Sequence, residues 1–110
     1  MKRLLLAIGV LLALVVLVVL AVPILHIWLN GPFERGFHAY KEGRYSTALE
    51  YWLPLAQAGD SRAQRRVGGM YEHGLGAPQD IKKAVEWYCK AADQGDAEGQ
   101  AFLGIMYAKG

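Results

Sequence analysis

The sequence predicts an all-α fold: an apolar N-terminal helix followed by a short α-solenoid of antiparallel helix pairs. Two observations carry this. Residues 4–22 hold no charged or strongly polar side chain, and the remainder repeats itself at an offset of about 36 residues, the range of stacked supersecondary units.

The 54% hydrophobic content is concentrated at the N-terminus. From Phe33 onward about ten basic and ten acidic side chains balance, so Lys2 and Arg3 account for the net charge of +2. A nucleic-acid binder places its positive excess on the folded domain, which this chain does not. Cys89 is the sole cysteine, which excludes an intramolecular disulfide and a cysteine-rich metal site.

Leu4 to Val22 is about nineteen residues long, roughly 28 Å as a helix and close to the hydrocarbon thickness of a bilayer. Pro23 is expected to kink or end it. Ile24, Leu25, Ile27, Trp28 and Leu29 resume the apolar character, with His26 and Trp28 suited to the interface. Residues 4–29 thus form the membrane segment, within an anchor at 1–29, and Asn30-Gly31-Pro32 reads as a linker. Length favours an uncleaved anchor over a signal peptide cut after Val19-Leu20-Ala21, whose apolar core would be shorter. Basic residues at the amino terminus place that end in the cytoplasm and the helical part outside it, the periplasm in a Gram-negative bacterium.

Gly59-Asp60-Ser61-Arg62-Ala63-Gln64 superposes on Gly95-Asp96-Ala97-Glu98-Gly99-Gln100, and Val67-Gly68-Gly69-Met70-Tyr71 on Leu103-Gly104-Ile105-Met106-Tyr107. About seven of sixteen positions from Gly59 are identical, against roughly one by chance. Upstream, Ala48, Glu50 and Ala56 recur as Ala84, Glu86 and Ala92. Ala63, Val67, Gly68, Met70 and Tyr71 form one helical stripe. Gly74 suits a left-handed C-cap, Pro78 stops the preceding residue continuing a helix, and Asp80 is an N-cap for the next. Ile81, Ala84, Val85, Tyr88, Ala91 and Ala92 supply that helix's apolar face. Gly59-Asp60 and Gly95-Asp96 each close one helix and open another, so successive helices fold back tightly. Gly68 and Gly104 sit mid-helix at a cost of about 1 kcal/mol relative to alanine. Close helix approach is the expected compensation, with Tyr71 and Tyr107 packing one turn later. Pro54 is expected to kink its helix.

The pattern Gly-Asp-Ala…Gln…Leu-Gly-x-Met-Tyr…Gly-x-Gly-x-Pro-Gln-Asp…Ala…Trp-Tyr…Ala-Ala…Gly-Asp resembles the Sel-one-like repeat (SLR), a relative of the tetratricopeptide repeat. The resemblance covers about seventy per cent of the chain. It implies a helix pair of tetratricopeptide type at 33–59, a full unit at 60–95 and the first helix of another at 96–110. It implies a protein-binding scaffold or adaptor, often at membranes or in the bacterial envelope, with no chemistry and no cofactor. By analogy with tetratricopeptide arrays, the binding face is lined by the first helix of each unit: Arg62, Arg65, Gly69 and Glu72, then Glu98, Ala101, Ile105 and Ala108. Arg62, Arg65 and Arg66 suit an acidic peptide through forked hydrogen bonds; weak ion pairs on a solvated face are the plainer reading.

Chemistry is otherwise sparse. His38 and His73 lack ligand spacing, so no metal is expected. Gly74-x-Gly76 precedes a helix, lacks the remaining phosphate-binding residues and is explained by capping. No catalytic frame is recognisable. Cys89 shares a face with Lys82 and Glu86 and is expected to be an exposed thiol. Tyr40, Tyr45, Tyr51, Trp52, Tyr71, Trp87 and Tyr88 are expected to pack between helices. Leu103, Met106 and Tyr107 have no downstream helix, which calls for cover by a partner or another copy, unless the chain is a fragment. A homo-oligomer through this helix is therefore the alternative to an adaptor, as is a soluble periplasmic form.

Overall fold

The computed structural model describes residues 1–109, apart from the side chains of Ile27 and Trp28. The expected interfacial ring of Trp28 lies outside the described residues. The described residues form six helices: α1 Lys2–Leu29, α2 Pro32–Lys41, α3 Tyr45–Gln57, α4 Ser61–His73, α5 Ile81–Asp93 and α6 Ala97–Ala108. They divide into two units, Met1–Gly31 and Pro32–Gly110.

In the first unit α1 is one continuous helix through Pro23, about 42 Å long by its rise per residue. The interruption expected at Pro23 does not end it. Asn30 closes it, its backbone N–H and side-chain amide both donating to the His26 carbonyl, at 2.9 and 3.2 Å. Its leucines and valines are exposed on every side, and Lys2–His26 is long and apolar enough to cross a membrane.

The second unit pairs α2 with α3 and α4 with α5, and lays α6 on α5. Asp caps start three of these helices. Asp60 accepts the N–H groups of Arg62 and Ala63 at 2.9 and 3.2 Å, Asp80 that of Lys83 at 3.0 Å, and Asp96 that of Gly99 at 2.7 Å. Each satisfies a first-turn donor with no intrahelical partner. Pro32 opens α2, where its missing N–H costs nothing and its fixed φ already suits the helix. Gly74 ends α4 at φ 66°, a left-handed conformation that favours glycine.

The repeat seen in the sequence is a repeat of bonds. Asp60 N–H donates to the Leu55 carbonyl at 3.0 Å and Asp96 N–H to Ala91 at 3.2 Å. The side-chain amide of Gln64 donates to the Ala56 carbonyl at 3.1 Å, and that of Gln100 to Ala92 at 3.3 Å. Gln64 is buried because this bond replaces the water its amide gives up.

The core is small residues around a few large ones. Ala39, Ala48, Leu49, Trp52, Ala56, Ala63, Val67 and Met70 form one buried cluster, against which Phe33, Tyr40, Tyr45, Tyr71 and Trp87 pack. The alanines bring helices close, and the aromatic rings fill the seams. Trp52 lies on Gly36, where a Cβ would sit 2.7 Å from its Cδ1, and its indole N–H donates to the Phe33 carbonyl at 3.0 Å. Tyr88 lies on Gly68 in the same way, where a Cβ would sit 2.7 Å from its ring and 3.3 Å from the Ala84 carbonyl oxygen.

Three expectations need correction. Gly104, expected to face a neighbouring helix as Gly68 does, has open space where its Cβ would stand, because the helix that covers Gly68 is α5 and no described helix stands there for α6. Tyr107, expected to pack one turn after Gly104, is 67% exposed, whereas Tyr71 packs against the core cluster as expected. Cys89 is half-buried, beside the phenol of Tyr107 on α6, whose pKa the thiol raises.

The two mid-helix glycines should therefore respond oppositely to alanine. Gly68→Ala forces the Tyr88 ring off its seat and is expected to lower stability by about 1–2 kcal/mol net, since overpacking outweighs the gain in helix propensity. Gly104→Ala should raise it by up to about 1 kcal/mol. Chemical denaturation of the detergent-solubilised chain checks both; equal shifts of one sign contradict the packing.

Candidate functional site

A groove of about 210 Å³ runs across α2 and α4, the first helices of the two pairs, and α6. Tyr40 of α2, Arg65, Arg66, Gly69, Glu72 and His73 of α4, and Glu98 and Phe102 of α6 line it, with Tyr88 at its floor. The registry is that of the helix. Arg65, Gly69, Glu72 and His73 lie three or four residues apart and so share one side of α4.

Of the eight residues named from the sequence as a binding face, the structure brings Arg65, Gly69, Glu72 and Glu98 together here. Arg62, Ala101, Ile105 and Ala108 are exposed outside the groove. Arg62 instead lies over the Phe33 ring, 4.2 Å from its centroid, and its Nη2 is 3.4 Å from the Asp60 carboxylate. Its guanidinium is held by the N-cap carboxylate of α4 and the Phe33 ring.

The charges of the groove are internally paired. Arg65 Nη1 stands 2.7 Å from Glu98 and its Nε 3.4 Å from Asp96. The Arg65 and Asp96 side chains are only 15% and 12% exposed, whereas Glu98 is 67% exposed. The outward orientation expected for Arg65 is thus replaced by a clamp across to the start of α6, with the Asp96 arm sheltered and the Glu98 arm screened by water. Arg66 spreads its guanidinium near Phe37 and Trp52, 5.2 and 5.8 Å from the ring centroids. Three adjacent arginines therefore do three different jobs.

Glu72 is likewise turned inward, 14% exposed. It accepts the Tyr88 hydroxyl at 2.7 Å, and His73 Nε2 lies 3.5 Å away. Burial, and then the Glu72 carboxylate it bonds to, push the Tyr88 phenol far above its ordinary range. Sequence reasoning missed this pair because Tyr88 and Glu72 sit in different helices. Their only signal was that Tyr88 falls on the apolar face, where a hydroxyl needs an acceptor.

Phe102 stacks on Tyr88 at 5.4 Å between centroids, so the aromatic floor continues into α6. The result is a shallow trough with aromatic walls and alternating charges along one edge. It suits a peptide segment that lays apolar side chains against the rings.

Stacked antiparallel helix pairs with recurring caps and a trough along their first helices define an α-solenoid repeat protein. The chain is, more particularly, a Sel1 repeat protein: the Sel1 repeat family matches residues 61–96 and 97–110. Similar curated proteins include DAP3-binding cell death enhancer 1 of Mus musculus, 42% identical over 67% of this chain and 22% of that protein. The ERAD-associated E3 ubiquitin-protein ligase component HRD3A of Arabidopsis thaliana is 40% identical over 56% of this chain and 9% of its own length. The exopolysaccharide production negative regulator of Rhizobium leguminosarum bv. viciae is 33% identical over 70% of this chain and 30% of its own. The crystal structure of a Sel1 repeat protein from Oxalobacter formigenes matches with a TM-score of 0.65 and 33% identity, covering 71% of this chain and 31% of that one. The chain spans less than a third of each of these proteins. Sel1 repeat proteins mediate protein–protein interaction.

Removing the Tyr88 hydroxyl separates its roles. Tyr88→Phe keeps the ring on Gly68 but strands the sheltered Glu72 carboxylate, and is expected to cost about 1–2 kcal/mol in denaturant titration. The pH response follows from the raised pKa. Above about pH 10 the unfolded chain releases the phenol proton while the folded chain keeps it, so stability falls as pH rises further. The Tyr88→Phe chain should show a shallower decline above pH 10; an unchanged slope would mean that the phenol is not held protonated by the fold.

Proposed function

We propose that this chain is a single-pass membrane protein that presents its Sel1 array for protein–protein interaction, without catalytic activity of its own. The trough across alternate helices of the array is the observation that carries the binding role, because it joins residues from α2, α4 and α6 into one surface. Its arginines are already committed to neighbouring acids and rings, an arrangement suited to fixing a surface's shape rather than to moving protons. The names of two similar proteins point the same way: one is DAP3-binding, another a component of an E3 ubiquitin ligase.

Anchoring rests on α1. Leucine and valine side chains cover its whole circumference, as in helices that face lipid on all sides. Lys2 and Arg3 favour a cytoplasmic amino terminus, and the near-neutral array then lies outside, in the periplasm if the membrane is a bacterial inner membrane.

A photo-reactive side chain at Gly69 tests the trough. A Cβ there meets only the Tyr88 hydroxyl, at 3.5 Å, so the substitution is accommodated. In native membranes Gly69 should cross-link to a discrete protein, and the same probe at Glu86, exposed on α5 outside the trough, should not. Equal labelling at both positions would refute a specific binding face. Protease added to spheroplasts should remove the array and leave an amino-terminal tag protected; digestion only after lysis would reverse the orientation.

A further inference from the structure

Of the three arginines on α4, Arg66 alone meets no carboxylate. Arg62 is held by Asp60, and Arg65 by Asp96 and Glu98. Among the described residues no carboxylate lies within ion-pair reach of Arg66. Its Nε is shut off from solvent and has no protein acceptor. The rings of Phe37 and Trp52 attract its charge, but they do not replace oxygen acceptors for the five N–H donors of a guanidinium. Sheltered polar groups are nearly always hydrogen-bonded, so a half-buried arginine lining a groove and meeting only rings is poised for an acceptor from outside.

A second cation reinforces the first. Lys41 of α2 places its Nζ 4.5 Å from the centroid of Phe37, the ring that Arg66 approaches at 5.2 Å. The two charges are therefore closer together than a Debye length, about 10 Å at 0.1 M salt. Lys41 likewise has no described carboxylate in reach. Like charges gathered on one ring repel each other, and an anion beside them relieves the repulsion. The acids that line the groove are already engaged, Glu72 with Tyr88 and Glu98 with Arg65. The groove is thus cationic on its α2 side and aromatic at Phe102 on its α6 side.

We infer that the groove recognises an extended segment of a partner protein that carries an Asp or Glu side chain close to an apolar one. The carboxylate accepts from the Arg66 guanidinium, with Lys41 at the rim, and the apolar side chain lies on the ring of Phe102. One guanidinium fork matches one carboxylate with its two oxygens. A chain terminus is captured by converging backbone donors instead. The N–H groups of α4 beside Arg66 are bonded within the helix, so the acid is a side chain. This rests on the reading of the array as an interaction scaffold and names the chemistry that its groove selects.

The probe is a library of acetylated, amidated heptapeptides, varied position by position and titrated against the full chain in phosphatidylcholine nanodiscs. The chain should select Asp or Glu at one position and Leu, Phe or Trp nearby. The best peptide should bind at least about tenfold more tightly than its Gln or Asn twin at low salt, a margin that shrinks as salt is raised. Arg66→Gln should abolish the margin and keep the apolar preference, and Arg66→Lys should restore it only in part, because the fork is lost. Lys41→Gln, at an exposed position, should narrow the margin about twofold to threefold without touching the core. Circular dichroism matching that of the parent chain shows each variant folded; should Arg66→Gln unfold, the Lys41→Gln margin and the salt dependence decide. Equal affinity for the acidic peptide and its amide twin, an acid preference that survives Arg66→Gln in a folded chain, or a library in which nothing binds overturns the inference. So does tighter binding of peptides with a free carboxyl terminus, which would make a chain end the occupant. Cross-links from Gly69 to a discrete protein keep the scaffold reading intact if the acid preference fails. Acid-selective binding without such cross-links upholds the chemistry of the groove and removes its proposed use in the membrane.

Discussion

Tyr88 rests on the bare backbone of Gly68, and much of the array is arranged around that contact. A side chain at position 68 would hold α4 and α5 apart, and the ring would lose its seat. With the helices close, the phenol reaches Glu72, the ring offers its far side to Phe102 of α6, and the groove acquires its floor. One absent Cβ thus links a helix-packing distance to a hydrogen bond, to the docking of the next helix and to the shape of the surface offered to partners. Glycine mid-helix is unfavourable by about 1 kcal/mol against alanine. Burial of a full tyrosine ring recovers more than this, roughly 2–3 kcal/mol by apolar area.

The series was partly legible because the offset of about 36 residues aligned Gly68 with Gly104 and Tyr88 with Trp52. What escaped notice was Gly36. It lies 32 residues before Gly68, since the turn between α2 and α3 is Glu42-Gly43-Arg44 while the α4–α5 connection runs from Gly74 to Asp80. A shortened turn breaks the register of a one-dimensional comparison without changing the three-dimensional contact. The caps were read correctly, because Gly-Asp at a helix junction is decided within a few residues: Gly59 and Gly95 hold φ of 103° and 85°, and Asp60 and Asp96 accept the following N–H groups.

The binding face was harder, for a reason of charge rather than of geometry. Periodicity put Arg62, Arg65, Gly69 and Glu72 on one side of α4, and three of these four line the groove. Periodicity cannot say where a long side chain ends. Arg65 reaches across to Asp96 and Glu98, Arg66 to Phe37 and Trp52, and Arg62 to Phe33. The guanidinium is long, planar and weakly hydrated enough to take each of these roles. Only the neighbouring helices decide between them. The sequence equally gave no sign that Glu72 would be sheltered, since its partner lies sixteen residues on and in another helix.

These features also tie binding to folding. In a solenoid, stability is approximately a sum over neighbouring units, so a helix with one neighbour is held less firmly than a helix with two. Among the described residues α4 lies between α3 and α5, and α6 packs mainly on α5. Glu98 and Phe102, which close the groove, ride on that helix. A segment held in the groove would therefore firm up α6 as well, adding to its stability by mass action. The docking of α6 on α5 and the occupation of the groove share Phe102 and Glu98, and reciprocity of coupling requires that each strengthen the other to the same degree.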